Sequence, residues 1–468
     1  MEDHNNKVDK IRSQIEEYAK GTHTKKLRFA HGSSHSSRTV EVDDNVWIDI
    51  SGLNKVVEVN AEKQYALSEP NVPMDALIEE TLKYDLIPQI VMECPGITVG
   101  GGVNGAALES SSFRYGQFND TCIDYEIILG DGSIVHANAK EHTDLFYGIS
   151  GSYGTLGLLT LIKIKLIPAK PYVRTTFYQA GTPKEALIMM QDLIQKDAHQ
   201  FIECTALSKT EAVVVVGDFA DREDGLPVQT FMKATDPWFY EYEEKAIRQG
   251  KTHTVLIPIV DYMFRYDRGG FWMGNYAFQA LNVPKNSLTK FLLNPIMNIR
   301  KLHEGFKALN LPHDVFVQDL YVPYDSALTL FENSHEKLDI YPVALCPMKP
   351  TQTPQKLSPH YNTDTMMIDV GIWGQSRRYK KDPIGLNREF ETILKNLKGR
   401  KMLYAQAYYT EEEFWQIYDR EWYTKIRKKY KADKVFPEIW QKVQPTPESA
   451  TGPKNGAFLK FVLKTIFS

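Results

Sequence analysis

The period of the apolar residues changes along the chain, and each period predicts a type of element. Residues 6–20 carry an apolar stripe at helical spacing, which predicts an amphipathic helix. Between Leu156 and Leu166 apolar residues alternate with Lys163 and Lys165 as far as Pro168, which predicts a half-buried strand. A helix is also expected from Pro73 to Tyr84, with proline in its first turn.

Short β-rich runs separated by turn residues fill the rest of the first third of the chain. The segments 123–129 and 133–137 flank a Gly-Asp-Gly turn and predict a β-hairpin. Further short strands are expected at 27–30, 46–50, 55–60 and 63–67.

Beyond Pro168 short strands such as 212–219 alternate with long helices such as 183–195. This pattern predicts a second domain, an antiparallel sheet with helices on one face. A helix is also expected from Thr410 to Lys429, with Glu413 at the capping-box position. The predicted fold class is α+β, and the predicted division is 1–24 (helix), 25–170 (first domain), 171–395 (second domain), 396–443 (a segment that returns to the first domain) and 444–468 (linker and tail).

Composition narrows the class of protein. The 468 residues are 43% hydrophobic and 24% charged, with a net charge of −4, so a nucleic-acid-binding surface is not expected. The four cysteines are scattered without metal-ligand spacing, which predicts no metal site and a reducing compartment. With neither a signal-peptide pattern nor a run of eighteen apolar residues, the sequence predicts a cytoplasmic protein that is not secreted.

The stretch from Cys94 to Pro168 is unusually rich in glycine. Gly100, Gly101, Gly102 and Gly105 lie near its start, and Gly151, Gly154 and Gly157 near its end. Glycine lets a backbone approach a ligand closely, and successive loop N–H groups are a common cradle for a pyrophosphate. The segment does not fit the G-x-G-x-x-G pattern, so a Rossmann nucleotide site is disfavoured.

Five motifs occur in order within this stretch: GG, SxxxRYG, DG after a strand, DLFYG and GTLGLLT. Their combination resembles the FAD-binding domain of the vanillyl-alcohol oxidase family, the PCMH-type flavoproteins. The resemblance implies a two-subdomain FAD-binding domain and, for the whole chain, a flavin-dependent oxidoreductase. It also implies a substrate, or cap, role for the second domain.

The same resemblance implies which residues contact FAD. The loop at 31–38 would wrap the pyrophosphate, with Arg38 adding charge, and residues 98–105 would lie against the flavin ring. The implied contacts are His31, Gly32, Ser33, Ser34, His35, Ser36, Thr98, Val99, Gly100, Gly101, Gly105, Ser110, Ser111, Ser112, Tyr115, Gly116, Gly154, Thr155, Gly157 and Leu158. His35 stands where many members of that family attach the flavin covalently; a hydrogen-bonded loop histidine is the alternative.

Motifs of the second half of the chain resemble a narrower group. YMFRYDRGGFW, VQDLYVP, DIYPVALCP, MIDVGIWG and MLYAQAYYTEEEFWQIYD, together with ESSSFRYG, resemble the Δ24-sterol reductases, FAD enzymes that reduce a side-chain double bond of sterols. The resemblance extends from about residue 6 to about residue 443. Phe113 departs from it, because those enzymes have an imidazole there, and so does the loop HGSSHSSR.

Reduction of an alkene needs an acid that protonates one carbon while the other carbon receives hydride. The resemblance offers Tyr404 and Tyr408 for this role, and Arg268 to offset negative charge on the reduced flavin. Gln318 and its neighbour Asp319 are candidates for polar groups facing the substrate. For each of these residues a purely structural role is the alternative.

Two functions therefore remain open. One is the reduction of a carbon–carbon double bond in a bulky apolar substrate, with NADPH as electron donor. The other is an FAD oxidase or dehydrogenase that acts on an alcohol or a secondary metabolite and passes electrons to oxygen. Residues 457–467 form an apolar segment with two lysines that could lie on a membrane or dock on protein. The sequence does not set the oligomeric state.

Overall fold

A computed structural model describes residues 1–31, 36–37, 47–308, 314–351, 353–361 and 364–445 of the chain. The expectations for 32–35, which include His35, for Arg38 and for the segment 457–467 lie outside the described residues. Within them the protein is a mixed α and β fold, as predicted.

The helices lie throughout the described chain. They are α1 (Glu2–Lys20), α2 (Met74–Leu82), α3 (Val99–Gly105), α4 (Ser112–Tyr115), α5 (Thr143–Ile149), α6 (Pro183–Gln195), α7 (Phe239–Arg248), α8 (Ile259–Met263), α9 (Gly274–Leu281), α10 (Ser287–Leu293), α11 (Ile299–Ala308), α12 (Ala327–Lys337), α13 (Arg377–Lys381), α14 (Pro383–Asn396), α15 (Glu411–Ile417), α16 (Arg420–Lys429), α17 (Ala432–Val435) and α18 (Ile439–Val443).

Within the described residues the strands form two large sheets and one small one. They are β1 (Arg28–Ala30), β2 (Trp47–Asp49), β3 (Val56–Asn60), β4 (Tyr65–Ser68), β5 (Leu86–Pro88), β6 (Cys122–Ile128), β7 (Ile134–Asn138), β8 (Leu158–Pro168), β9 (Tyr172–Ala180), β10 (Phe201–Ser208), β11 (Glu211–Ala220), β12 (Thr252–Pro258), β13 (Phe316–Pro323), β14 (Val343–Met348), β15 (Met367–Gly374) and β16 (Arg400–Lys401).

The first large sheet is antiparallel and belongs to the glycine-rich half of the chain. Its order is β3-β4-β8-β6-β7, and β5 also pairs with β8. The predicted hairpin is confirmed as β6 and β7, with Glu126 opposite His136. Strand β8 is mostly buried, while Lys163 is half-buried and Lys165 is exposed, as the alternating pattern predicts.

Helix α1 packs on this half of the molecule. Val8, Ile11 and Ile15 form its buried stripe, as predicted. The buried His4 forms hydrogen bonds to Glu69 (2.9 Å) and Glu126 (3.1 Å), which tie the helix to the sheet. Burial by itself would lower the pKa of His4, but these two carboxylates raise it to about 9.

The second large sheet is antiparallel, in the order β12-β9-β11-β10-β14-β15-β13-β16. Helices α6, α12 and α14 pack on one face through an apolar cluster. Helices were expected on that face alone, yet α7 lies on the opposite face at the β12–β9–β11 end, where Phe239 contacts Phe177. Side chains on both faces of β11 are apolar and buried, because this end of the sheet is covered by helices on both faces.

The predicted boundary near residue 170 falls between the sheets, because β8 ends at Pro168 and β9 begins at Tyr172. After β16 the chain packs against the first half again. The buried residues that it adds to a core cluster shared by both large sheets are Leu403, Ala407, Tyr409, Phe414, Tyr418, Tyr423, Ile426, Tyr430, Ile439 and Val443.

The helix predicted from Thr410 to Lys429 is wrong as one element. It is interrupted between α15 and α16, because Tyr418 is extended and the Asp419 side chain accepts a hydrogen bond from Trp422 N–H as a new N-cap.

Candidate functional site

A cavity of about 560 Å³ lies between the glycine-rich segment and the second sheet. Its size is within the range of small-molecule and cofactor sites. Residues of both halves of the chain line it, and much of its wall is apolar and aromatic. The apolar contributors from the second half include Phe271, Met273, Ile299, Leu302, Trp373 and Met402.

The glycines of α3 form the wall on the side of the first sheet. The Thr98 side chain caps this helix by accepting a hydrogen bond from Gly101 N–H. A Cβ placed on Gly105 would meet no described atom within 4 Å, and one on Gly101 would approach only Thr98 Oγ1, at 2.9 Å. Side chains at these positions would enter the cavity, so this wall fits a flat group that lies directly against the backbone.

A second border is formed by Tyr153, Gly154 and Lys442, all of which line the cavity. Gly154 has a φ of +73°, and a Cβ there would lie 3.7 Å from Lys442 Nζ. Lys442 of α18 also donates a hydrogen bond to the Tyr153 carbonyl. This border therefore offers open space beside an ammonium group, which suits a phosphate. Together the residues of the two borders fit FAD.

The structure brings some of the implied FAD contacts to this cavity. Those that line it are His31, Ser36, Thr98, Gly100, Gly101, Gly105, Gly154, Gly157 and Leu158. The described residues that do not line it are Val99, Ser110, Ser111, Ser112, Tyr115, Gly116 and Thr155.

The three serines of the ESSS motif form hydrogen bonds within the protein. Ser111 Oγ donates to the Gln89 carbonyl, and Ser112 Oγ accepts from Glu109 N–H. The Ser110 carbonyl accepts from Ile202 N–H of β10, which joins the two halves of the chain. The residue of this motif that lines the cavity is Glu109.

Position 116 needs glycine because of its backbone conformation and a close neighbour, and not because of a ligand. Its φ is +88°, and a Cβ there would lie 2.4 Å from the Asp120 carboxylate. Replacement of Gly116 would strain the backbone outside the cavity wall.

A buried arginine joins two carboxylates beside the cavity. Arg265, 1% exposed, donates two hydrogen bonds to Glu203 (3.0 and 2.8 Å) and a longer one to Glu109 (3.4 Å). Burial raises the pKa of Glu109 to about 7, although the guanidinium acts in the opposite direction. Since Glu203 and Arg265 come from the second half and Glu109 from the first, this cluster also connects the two halves.

Strand β13 presents a second polar group to the cavity. Successive side chains of a strand point to opposite faces, and Val317 and Asp319 line the cavity while Gln318 lies on the helix-covered face. Asp319 Oδ1 accepts a hydrogen bond from Trp373 Nε1 at 3.0 Å, and its carboxyl is also hydrogen-bonded to the Tyr404 hydroxyl. Burial raises the pKa of Asp319 to about 6 despite these two donors.

Gly371 makes room for this arrangement. It pairs with Asp319 across the two strands, and a Cβ there would lie 2.6 Å from the Trp373 ring and 3.2 Å from Asp319 Oδ1. Any larger residue would push the indole away from the carboxyl group.

Asp369, two residues before Gly371, is a third acid in the wall. It is 5% exposed and lines the cavity, and its Oδ1 has no hydrogen-bond partner among the described residues. Burial, together with the nearby Asp319 and Glu93, raises the pKa of Asp369 well above its usual range. A neutral carboxyl in this place is free to donate a hydrogen bond into the cavity.

Of the four candidate catalytic residues, only Tyr404 lines the cavity. Tyr408 lies beyond it, where its N–H donates to Glu391. Arg268 donates to the Asn294 side chain and to the carbonyls of three residues of the 231–236 segment. Gln318 donates to Asn387 and to the Gln406 carbonyl. These contacts hold the second half of the chain together.

Sequence reasoning missed Arg265, Glu203, Glu109 and Asp369 as parts of the site. RYDR contains two arginines, and alternation along the chain does not distinguish the one that pairs with the two carboxylates beside the cavity. For the described part of the chain, no cluster of His, Cys, Asp or Glu has a geometry that could hold a metal ion. Likewise, no described helix combines the length and apolar character needed to cross a membrane.

Comparison with known proteins agrees with this geometry. A family model described as an FAD binding domain matches residues 12–138. Human Delta(24)-sterol reductase is 32% identical over 406 residues, which cover 84% of this chain and 76% of the human protein. The Arabidopsis thaliana Delta(24)-sterol reductase is 30% identical over 431 residues, with the same two coverages.

A more distant similarity extends to an oxidase. Mouse L-gulonolactone oxidase is 20% identical over 452 residues, or 93% of this chain and 88% of the oxidase. The FAD-binding domain and the extended similarity to the reductases place the protein among the FAD-dependent oxidoreductases, and the chain belongs to the Delta(24)-sterol reductase family.

Proposed function

We propose that the protein reduces a carbon–carbon double bond of a sterol-like substrate, with FAD as the hydride carrier and NADPH as the electron donor. The observation that carries the proposal is the cavity itself, in which an open glycine wall faces an apolar compartment that contains the hydrogen-bonded pair Tyr404 and Asp319. The reductase relatives support the type of substrate.

The cofactor would be held by this chain's own backbone and by one lysine. Gly101 and Gly105 leave space for the flavin ring, and the border at Gly154 and Lys442 suits its phosphates. Bound there, FAD supplies hydride from its N5 atom. His35 remains a hypothesis for covalent attachment.

The second half of the chain would bind and orient the substrate. Phe271, Leu302 and Trp373 give the cavity an apolar wall, which excludes water and favours a bulky hydrocarbon. An anionic substrate would be unfavourable beside Asp319, because a carboxyl group with a pKa of about 6 is largely ionised at neutral pH.

The Tyr404 hydroxyl would provide the proton. Burial and the neighbouring Asp319 raise the pKa of Tyr404 well above its usual range, so the phenol is protonated at neutral pH. It gives this proton to the substrate carbon that does not receive hydride, and it regains one from the protonated Asp319 across their hydrogen bond. Trp373 holds the carboxyl group in place.

The test is anaerobic mixing of the purified flavoprotein with NADPH, followed by exposure to oxygen. Fast bleaching of the flavin followed by slow reoxidation supports the reductase. No bleaching by NADPH, with rapid reoxidation after chemical reduction, would support an oxidase instead, as the similarity to L-gulonolactone oxidase allows.

A further inference from the structure

Helix α10 exposes three large apolar side chains on one face. Leu288, Phe291 and Leu292 are 66%, 51% and 60% exposed. Their spacing of three and four residues places them side by side on one face of the helix. None of the seven residues of α10, all of them described, is buried.

The opposite side of α10 is fixed to the protein. Lys290 forms an ion pair with Glu241 at 2.7 Å, and Leu293 packs against the cluster around Trp238 and Trp272. The Asn286 side chain caps the helix by accepting from Thr289 N–H. The helix is therefore held in an orientation that directs its apolar face outward.

The anchored side of α10, which carries Leu293, is connected to the wall of the cavity. The cluster that Leu293 joins also contains Phe271, Met273 and Leu302, and these three residues line the cavity. Helix α11, which follows α10 after a short turn, supplies Ile299 and Leu302 to the same wall.

The charged residues around α10 are paired with one another. Residues 284–303 contain four basic and no acidic residues. Three nearby carboxylates pair with these cations: Glu241 with Lys285 and Lys290, Asp75 with Arg300, and Glu304 with Lys301. Glu244 and Asp267 also interact with Lys285 and Arg300, so the charges around α10 nearly cancel, whereas the whole chain carries −4.

We infer that the exposed face of α10 docks the protein on a lipid bilayer, beside the cavity that takes the apolar substrate. The three side chains expose roughly 350 Å² of apolar surface, well below the roughly 800 Å² per partner of a stable dimer. An area of this size is enough for shallow insertion into a headgroup layer, and the balanced charges around it do not repel either neutral or anionic lipid. The inference rests on the proposed function only for the role of the cavity.

The test is flotation of the full-length protein with phosphatidylcholine vesicles, prepared with and without phosphatidylserine. The variant changes Leu288, Phe291 and Leu292 to Gln. The matched control changes Ile188 and Ile384 to Gln, which are 53% and 47% exposed on α6 and α14, away from α10.

The α10 variant is expected to lose vesicle affinity by roughly 100-fold, and the control by less than about twofold. The melting temperature and the bound FAD of each variant are measured in parallel. If the triple variant does not fold, Leu288→Gln alone replaces it, with an expected loss of vesicle affinity of roughly fivefold.

Three results would overturn the inference. The first is vesicle binding by the α10 variant that equals binding by the wild type. The second is complete loss of binding when only Phe458, Phe461 and Ile466 of the tail are changed to Gln. The third is a wild-type dimer in sedimentation that the α10 changes convert to a monomer. None of these measurements depends on catalysis, so failure of the proposed reaction would leave the result interpretable.

Discussion

The role of Asp319 makes a quantitative prediction for the pH dependence of substrate reduction. If protonated Asp319 reprotonates Tyr404, the rate follows the fraction of Asp319 that carries a proton. Because burial raises the pKa of this carboxyl above its ordinary value, to about 6, the protonated fraction is about one half at pH 6. It falls to about one tenth at pH 7 and about one hundredth at pH 8.

The perturbation is Asp319→Asn, which keeps a polar group opposite Gly371 but cannot supply the proton. In the wild type, the rate constant for oxidation of the reduced flavin by substrate should fall about tenfold between pH 7 and pH 8. In the variant it should be lower at pH 6 by about 100-fold or more and nearly independent of pH, as expected when a general acid is lost.

The assay is anaerobic stopped-flow spectroscopy at the flavin absorbance, in two separate half-reactions. Reduction by NADPH does not use the Tyr404 proton, so its rate is the internal control and should be equal in both proteins. A wild-type rate of substrate reduction that is flat between pH 6 and pH 8, or an Asp319→Asn variant that keeps the wild-type slope, would refute the relay.

Other variants test separate parts of the account. Gly105→Leu should abolish FAD binding while the melting temperature stays near that of the wild-type protein without FAD, because the side chain enters open space. Gly52→Leu, which also meets no described atom within 4 Å, should bind FAD normally. Equal FAD content in the two variants would contradict the assignment of the glycine wall. His4→Gln should lower the free energy of unfolding by at most about 3 kcal/mol, with the largest effect at pH 6.5 and below. The raised pKa of His4 means that the charged ring stabilises the fold, and this contribution is lost as the pH rises through about 9. A difference in stability between variant and wild type that grows with pH would contradict this assignment. Gly371→Ala should shift the indole NMR signal of Trp373 and slow substrate reduction while NADPH reduction is unchanged, and an unaltered signal would show that the strand accommodates the methyl group.

The elements with strong local periodicity were predictable. The stripe on α1, the β6–β7 hairpin and the alternation in β8 each follow from residues close in sequence, so the pattern contains the information. Glycine density also indicates where a backbone can border an open space, and three glycines of α3 line the cavity; their contact with a ligand stays a prediction.

The acidic part of the site was not predictable from the pattern. Arg265 is 62 residues from Glu203 and 156 residues from Glu109, and nothing in the sequence near any of them indicates the pairing. Alternation in β13 shows that Gln318 and Asp319 cannot share a face, but only the packed helices on one side determine that Asp319 faces the cavity.

The segment that carries Tyr404 and Tyr408 has no regular secondary structure among its described residues, so no period could rank the two tyrosines. The contact that holds the Tyr404 backbone in place is itself non-local, since Ser36 Oγ donates to its carbonyl at 2.8 Å. The domain boundaries and the cytoplasmic location stay predictions.

The central claim is that the reduced flavoprotein adds two hydrogens to a side-chain double bond of a sterol. The direct measurement is a single turnover without oxygen, in which chemically reduced protein is mixed with such a sterol and the flavin spectrum and product mass are followed. The account predicts that the yellow flavin returns in proportion to the sterol consumed and that the product carries two additional hydrogens. A flavin that stays reduced with this substrate, but turns yellow rapidly when oxygen is admitted, would contradict it.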